Sequence, residues 1–173
     1  MGLFMPNSMD HSKLMLQRSV EVEVDCSVQQ VYDLWENLEN VPRWMPLVKS
    51  VRRLQEDDEL WRWTFGLEFP LLIEWTSRIT QRIPLRLIAW SSVSGLSNQG
   101  FAEFFPTDRG CRLRLTLAFD LPGGIVGVFL EKMGLDRWLE TNLKESLNRF
   151  QSQIEAEVLR QSVTQNNAAC SIE

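Results

Sequence analysis

Apolar residues near the end of the chain recur every three or four positions, with polar or charged residues between them. This period places the apolar side chains along one stripe of an α-helix. We expect this helix to begin near Ile125 or Leu135, with a break at Gly134 in the first case, and to end near Arg160. The stripe consists of Leu135, Leu139, Leu143, Leu147, Phe150, Ile154 and Val158.

The residues before this helix alternate with a period of two, which predicts β-strands. In the first such segment, Val20–Val24, valine alternates with glutamate. Ser27 and Gln30 then form a predicted capping box, which opens a short helix, and a second helical turn follows at Pro42. Between residues 48 and 121, six more strand-like segments are separated by turn signals about every ten residues, as in an antiparallel meander.

The order of these elements predicts an α+β fold, in which one curved antiparallel sheet of about seven strands wraps around the long helix. We expect the first strand to pair with a strand that is distant in sequence. Residues 1–13 are predicted to be disordered, 14–161 to form a single domain, and 162–173 to be a frayed tail. A sheet that wraps around a helix often leaves a hollow in which a small molecule binds.

The composition excludes several classes of function. A net charge of −5 and a pI near 5.0 argue against nucleic acid as a partner, because phosphate binding needs a basic face. The single histidine, His11, leaves no basis for a histidine metal site or a Ser-His-Asp catalytic triad, so we expect no metal and no cofactor. Three dispersed cysteines, no signal peptide and no long apolar run favour a cytoplasmic location.

Four segments carry motifs of a known family. They are Val20–Val24 running into Ser27–Trp35, then Asn40–Val51, then Ile83–Ser92, and the Gly-rich entry to the long helix that ends in Leu147–Gln151. Together they resemble the START-related (SRPBCC) superfamily, in particular its polyketide cyclase/dehydrase and coenzyme-Q-binding-protein-like branch. This resemblance covers about residues 18–157 and implies the helix-grip fold, with an apolar ligand held between sheet and helix. That fold hosts lipid carriers, cyclases and signalling receptors, so the resemblance alone does not select a function.

The chain is rich in tryptophan, with seven residues that could line such a hollow or simply fill the core. Period-two counting, together with the resemblance, directs one set of apolar side chains inward. Trp44 and Met45, in the short helical loop, are expected to act as a lid. We expect an apolar space of roughly 300–1,000 Å³ if the core is not packed solid. The predicted lining is Trp35, Trp44, Met45, Trp61, Trp63, Phe65, Ile73, Trp75, Trp90, Phe104, Leu115, Leu117, Phe119, Phe129, Trp138 and Leu139.

A cyclase would need acid or base groups inside the hollow. Glu74 and Arg78 are out of phase with Trp75, so they should point outward, and Glu103 points inward only if Phe104 points outward. The further candidates are Glu68, Asp120 and Arg86. These residues form no constellation with a nucleophile or a metal, so we predict no catalytic residue.

The sequence therefore favours binding or transport of a small hydrophobic ligand such as a lipid, quinone or isoprenoid-like molecule. Two alternatives stay open. One is a cyclase or dehydrase that acts on an aromatic polyketide-like substrate. The other is a protein-interaction module like the ribosome-associated toxins of the same branch. A transient membrane or protein contact is expected near the Trp44 loop, and the oligomeric state is left open.

Overall fold

The computed structural model describes residues 13–55, 57–66, 72–122 and 134–170, and these form the predicted α+β helix-grip. Seven strands make one antiparallel sheet in the order β1-β7-β6-β5-β4-β3-β2. Helix α1 and a 3-10 helix connect β1 to β2, and the long helix α2 closes the fold. The elements are β1 Lys13–Val24, α1 Val28–Glu36, the 3-10 helix Leu38–Arg43, β2 Val48–Arg53, β3 Leu60–Gly66, β4 Leu72–Ile83, β5 Leu87–Gly95, β6 Asn98–Thr107, β7 Gly110–Pro122 and α2 Leu135–Cys170.

The first strand pairs with the last strand, as predicted. Val20 lies opposite Leu115, and Val24 lies opposite Cys111. Within the sheet, the register between β4 and β5 shifts twice, next to Ser77 and next to Gln81. Such bulges bend and twist a strand, which helps the sheet to curl around a helix.

Helix α1 begins where the sequence predicts. Ser27 Oγ accepts a hydrogen bond from the Gln30 backbone N–H at 3.3 Å, and Gln30 Oε1 accepts one from the Ser27 N–H at 2.9 Å. This reciprocal pair satisfies two donors that the start of a helix would otherwise leave free. The helix buries Val31, Tyr32 and Trp35 against the sheet.

Helix α2 buries the predicted stripe. Leu143, Leu147, Phe150 and Ile154 are at most 3% exposed. The helix begins at Leu135, directly after Gly134, whose φ of 74° suits glycine. It continues to Cys170. The helix therefore runs ten residues past the expected end near Arg160.

The predicted alternation on β4 is also confirmed. Trp75, Ser77 and Ile79 are buried, whereas Glu74 and Arg78 are exposed. Among the residues that the structure describes, no helix is long and apolar enough to cross a membrane.

Candidate functional site

The inward-facing side chains of the sheet change in burial along several of the strands. On β7, Leu113 and Leu115 are at most 1% exposed, whereas Leu117 and Phe119 are half-buried. On β3, Trp63 is buried and Phe65 is half-buried. On the neighbouring strand β4, Ile73 is half-buried as well. The concave face therefore has a densely packed part and a part that is left partly uncovered.

We call the densely packed part the closed half and the other part the open half. The closed half lies under α1, the 3-10 helix and the later turns of α2. The open half lies where β3, β5 and β7 end and where α2 begins. The closed half comprises Val22, Val24, Tyr32, Trp35, Val41, Trp44, Phe104, Cys111, Leu113, Leu115, Leu147 and Phe150, and the open half comprises Leu16, Trp63, Phe65, Ile73, Trp75, Leu96, Leu117, Phe119 and Trp138.

An aromatic cluster fills the closed half. The rings of Trp35 and Trp44 stack with centroids 6.0 Å apart, and Phe150 meets the edge of Trp44 at 5.0 Å. Trp44 is 0% exposed. The Trp44 ring is therefore part of the core, and Met45 beside it is half-buried against the same core, so the lid role of this loop stays a prediction.

The open half contains a pair of stacked tryptophans. Trp63 and Trp75 lie opposite each other on β3 and β4, with ring centroids 5.8 Å apart and planes only 5° apart. Phe65 tilts against Trp75 at 6.3 Å. Trp63 Nε1 donates a hydrogen bond to Ser77 Oγ at 2.8 Å. Trp75 Nε1 is buried, and no described residue offers it an acceptor.

Arg18 brings a charge to the open half. It lies on the inward row of β1 with Leu16 and Val20, and its guanidinium pairs with the Asp136 carboxylate in the first turn of α2. Arg18 also donates to the backbone oxygen of Gln17 at 2.5 Å. Sequence reasoning missed Arg18, although it has the same parity as the inward valines, and that parity was the signal that could have found it.

Other polar groups at this end of the sheet are paired. The buried Asn98 lies opposite Phe119, and its Nδ2 donates to the Leu96 carbonyl at 2.8 Å. The Ser97 hydroxyl donates to Asp120 Oδ2 at 2.7 Å. Asp120 is therefore held at the end of β7 by a neighbouring loop residue.

The remaining acid and base candidates point away from the concave face. Phe104 is 2% exposed and inward, so Glu103 points outward, where its carboxylate lies 3.5 Å from the Arg114 guanidinium. Arg78 pairs with Asp57 at 2.8 Å on the outer side. Arg86 is exposed in the turn after β4. Glu68 lies outside the described residues.

The cysteines in the core are not placed for nucleophilic chemistry. Burial raises the pKa of the Cys111 thiol to about 11, and burial raises the pKa of the Cys26 thiol as well. Both groups are therefore neutral thiols at pH 7, and a neutral thiol is a poor nucleophile. Within the described ranges, no three His, Cys, Asp or Glu side chains come close enough together to hold a metal ion.

A polar groove of about 600 Å³ lies at the other end of the molecule, beside α1 and the β2–β3 turn. Arg82 pairs with Glu36 at 2.5 Å there, and Arg53 pairs with Asp58 at 3.3 Å. Trp61 contributes to the wall of this groove. The groove is lined by Asp33, Glu36, Asn37, Glu39, Arg53, Asp58, Glu59, Trp61 and Arg82.

Trp90 lies between the two halves. A methyl group at Gly100 would come within 2.6 Å of the Trp90 ring and 2.7 Å of Leu117. Gly100 therefore lets Trp90 lie close over β6 beside Leu117.

The structure thus divides the predicted lining among several places. Trp35, Trp44, Phe104 and Leu115 lie in the closed half, Trp61 lies at the polar groove, and Phe129 lies outside the described residues. Of the others, Phe65, Trp63 and Trp75 contact one another, Trp90 and Leu117 both lie against Gly100, and Ile73, Phe119, Trp138 and Leu139 belong to the core cluster or pack against it.

Comparisons with known proteins agree with this architecture. Residues 24–147 match the model of a family described as polyketide cyclase/dehydrase and lipid transport. An uncharacterized 17.2 kDa protein of Streptomyces lincolnensis is 26% identical over 135 residues, which are 78% of this chain and 86% of that protein.

Solved structures show the same fold. A Deinococcus radiodurans protein is 26% identical with a TM-score of 0.62, and the match covers 83% of this chain and 99% of that one. The Zhui aromatase/cyclase from Streptomyces sp. R1128 is 21% identical with a TM-score of 0.69, and the match covers 84% of this chain and 96% of the cyclase. At this low identity, the likeness to the cyclase shows the fold alone.

Proposed function

The chain belongs to the polyketide cyclase/dehydrase and lipid transport family, and on this premise we propose that it binds a small hydrophobic ligand at the open half. The observation that carries the proposal is the partial exposure of inward apolar side chains there, among them Phe65, Ile73 and Phe119. Apolar surface left in water costs about 25 cal/mol per Å². A ligand that covers these side chains would recover that free energy.

The proposed contacts come from four elements. We expect Phe65 and Trp75 to contact the ligand from β3 and β4, Leu117 and Phe119 from β7, and Trp138 from the first turns of α2, since all five belong to one core cluster or pack against it. The closed half supports this site from below, because its rigid packing fixes the strands and the helix. Trp35, Trp44 and Phe104 act in this scaffold and do not contact the ligand.

Cyclase or dehydrase chemistry is the second candidate, and one observation favours it. The Arg18–Asp136 pair places an ionisable acid and a cation beside the open half. A guanidinium can stabilise a developing oxyanion, and a carboxylate can accept a proton. Binding remains the first proposal because Asp136 Oδ2 is already engaged by Arg18 and its other oxygen, Oδ1, is buried.

The protein-interaction alternative is weaker than the sequence suggested. Its expected contact was an exposed aromatic side chain near Trp44, and that ring is buried against Trp35 and Phe150. We therefore prefer binding of a lipophilic molecule over this alternative, and we propose that it takes place in the cytoplasm.

Native mass spectrometry of the purified protein, followed by organic extraction, tests whether a lipophilic molecule copurifies with it. A titration with the neutral probe N-phenyl-1-naphthylamine tests the site itself. We expect Phe119→Ala to weaken probe binding about tenfold, because a large part of the apolar contact is lost. Leu159→Ala is the matched control, since Leu159 is an apolar residue 66% exposed on α2. Equal effects of the two substitutions would contradict the proposed site.

A further inference from the structure

The outer face of the sheet has two sides that differ in how their charges are arranged. Between β1 and β7, Glu21 lies opposite Arg114, and the two side chains form an ion pair. Between β2 and β3, Arg52 lies opposite Arg62, and both side chains are exposed. Neither has a carboxylate partner within the described ranges. Because like charges on neighbouring strands repel, an external anion at Arg52 and Arg62 would stabilise this side of the sheet.

Lys49 adds a third cation beside these two arginines. A methyl group at Gly66 would come within 2.6 Å of Lys49 Cε and 3.4 Å of Leu72 Cδ2, so both side chains cover Gly66. Lys49 Nζ donates a hydrogen bond to the Pro46 carbonyl at 3.0 Å and has no carboxylate partner in the part of the chain that the structure describes. We call the three cations the basic patch, which consists of Lys49, Arg52 and Arg62.

One carboxylate lies close to the basic patch. Glu74 is on the same face of β4, opposite Thr64, and its Oε1 accepts a hydrogen bond from the Thr64 hydroxyl at 3.2 Å. Its single charge leaves the surface around the patch positive. The net charge of −5 on the whole chain does not cancel this local field, because exposed charges are screened beyond about 8 Å at physiological ionic strength.

Exposed apolar side chains lie next to the basic patch. Leu72 is 63% exposed, and Val93 is 55% exposed. Val93 precedes Ser94, which lies opposite Thr76, and Thr76 in turn lies opposite Arg62. A free anion in solution would bind the cations and leave Leu72 and Val93 in water. An anionic membrane offers headgroups to the cations and an apolar boundary to the other side chains.

The basic patch and the open half share one end of β3 and β4. Phe65 precedes Gly66, and Ile73 follows Leu72, so these inward side chains of the open half lie at the same strand ends as the patch. A lipophilic ligand is poorly soluble in water and is therefore exchanged with a membrane. Contact between the membrane and this end of the sheet would bring the open half close to the lipid.

Building on the proposed function, we propose that the basic patch and Leu72 dock the protein on an anionic membrane, from which the open half takes its ligand. The guanidinium groups of Arg52 and Arg62 bind the anionic groups of the lipids. Leu72 enters the boundary between the headgroups and the acyl chains.

Cosedimentation with vesicles tests this proposal. We expect the wild-type protein to bind vesicles of equimolar phosphatidylcholine and phosphatidylserine more tightly than vesicles of phosphatidylcholine alone, and to bind less as salt is added. Arg52→Gln/Arg62→Gln should weaken binding to the mixed vesicles about twentyfold, since each cation at an anionic surface contributes about fivefold. The matched control, Arg112→Gln/Arg114→Gln, removes the same charge from the paired side of the same face and should leave this binding nearly unchanged.

Leu72→Ser distinguishes a membrane from a soluble anion as the partner. We expect it to weaken binding to the mixed vesicles, whereas Leu159→Ser, at a similarly exposed apolar residue of α2, leaves binding unchanged. Glycerophosphoserine, which is the headgroup without its acyl chains, should not displace the protein. Displacement by this compound, or equal effects of the two serine substitutions, would indicate a site for soluble anions and overturn the inference.

The inference is also overturned if the wild-type protein binds both kinds of vesicle equally or binds neither, or if the two arginine double variants lose binding equally. Binding of N-phenyl-1-naphthylamine without vesicles should be the same in Arg52→Gln/Arg62→Gln as in the wild type, because the patch lies outside the open half. Absent vesicle binding with intact probe binding therefore overturns the inference alone. Absent probe binding in the wild type overturns the proposed function on which the inference rests. If the double variant does not fold, wild-type vesicle binding that is insensitive to salt overturns the inference.

Discussion

The closed and open halves of the concave face are built from similar side chains with different burial. In the closed half, Phe150 and Leu147 are 0% exposed, and Phe150 meets the rings of Trp35 and Trp44. In the open half, Phe119 and Trp138 occupy comparable inward positions and stay half-buried. The difference shows how a single sheet can pack its inward side chains densely at one end and leave apolar surface partly uncovered at the other.

The closed half should dominate stability. We expect Phe150→Ala to lower the free energy of unfolding by about 3–5 kcal/mol, because it leaves a cavity among packed rings. Denaturant unfolding followed by tryptophan fluorescence measures this. Glu145→Ala, on the exposed side of the same helix, should cost less than about 0.5 kcal/mol. Comparable losses in the two variants would show that α2 does not face the sheet as described.

The free energy of unfolding should also fall in alkaline solution, because Cys111 is buried in the closed half. Burial raises the pKa of Cys111 from 9.0 to about 11, so the folded state keeps a proton that the unfolded state releases. The contribution is therefore complete below pH 9 and is lost as the pH rises through 11, with a total of about 2–3 kcal/mol. Cys111→Ser should show a shallower decline between these pH values. Its slope does not vanish, because burial also raises the pKa of Cys26 and of Tyr32.

A wild-type stability that stays constant from pH 9 to 11 would contradict this account of Cys111. Probe binding measured over the same pH range compares the open half with the closed half. The open half has no cysteine among its described residues, so its probe binding should change less over this pH range than the free energy of unfolding does.

The charged pair at the open half should matter least for stability. Arg18 and Asp136 are 29% and 50% exposed, so we expect Arg18→Gln to cost less than about 1 kcal/mol. Because the pair joins the start of α2 to β1, its loss should speed release of N-phenyl-1-naphthylamine in stopped-flow measurements. Arg114→Gln breaks an ion pair with Glu21 on the outer face and serves as the control. Unchanged release in Arg18→Gln would show that the pair does not secure this end of the helix.

Hydrophobic periodicity predicted the fold because it records which face of an element is buried. The stripe of α2, the alternation on β4 and the capping box at Ser27 were all confirmed. The same logic could have identified Arg18, whose parity matches that of Val20.

Periodicity could not predict how deep each inward side chain lies. Trp61 and Trp63 share a face of β3, yet one borders the polar groove and the other stacks in the open half. Trp44 is buried because Phe150, more than a hundred residues later, packs against it. Both placements depend on contacts between distant elements, which a local pattern does not contain.

The most direct test of the central claim uses the seven tryptophans as reporters. Proton–nitrogen correlation spectra of the indole groups are recorded while N-phenyl-1-naphthylamine is added. We predict that the resonances of Trp75 and Trp138 shift on binding, whereas those of Trp35 and Trp44 stay in place. Shifts centred on Trp35 and Trp44, or a titration that leaves Trp75 and Trp138 unchanged, would contradict the assignment of ligand binding to the open half.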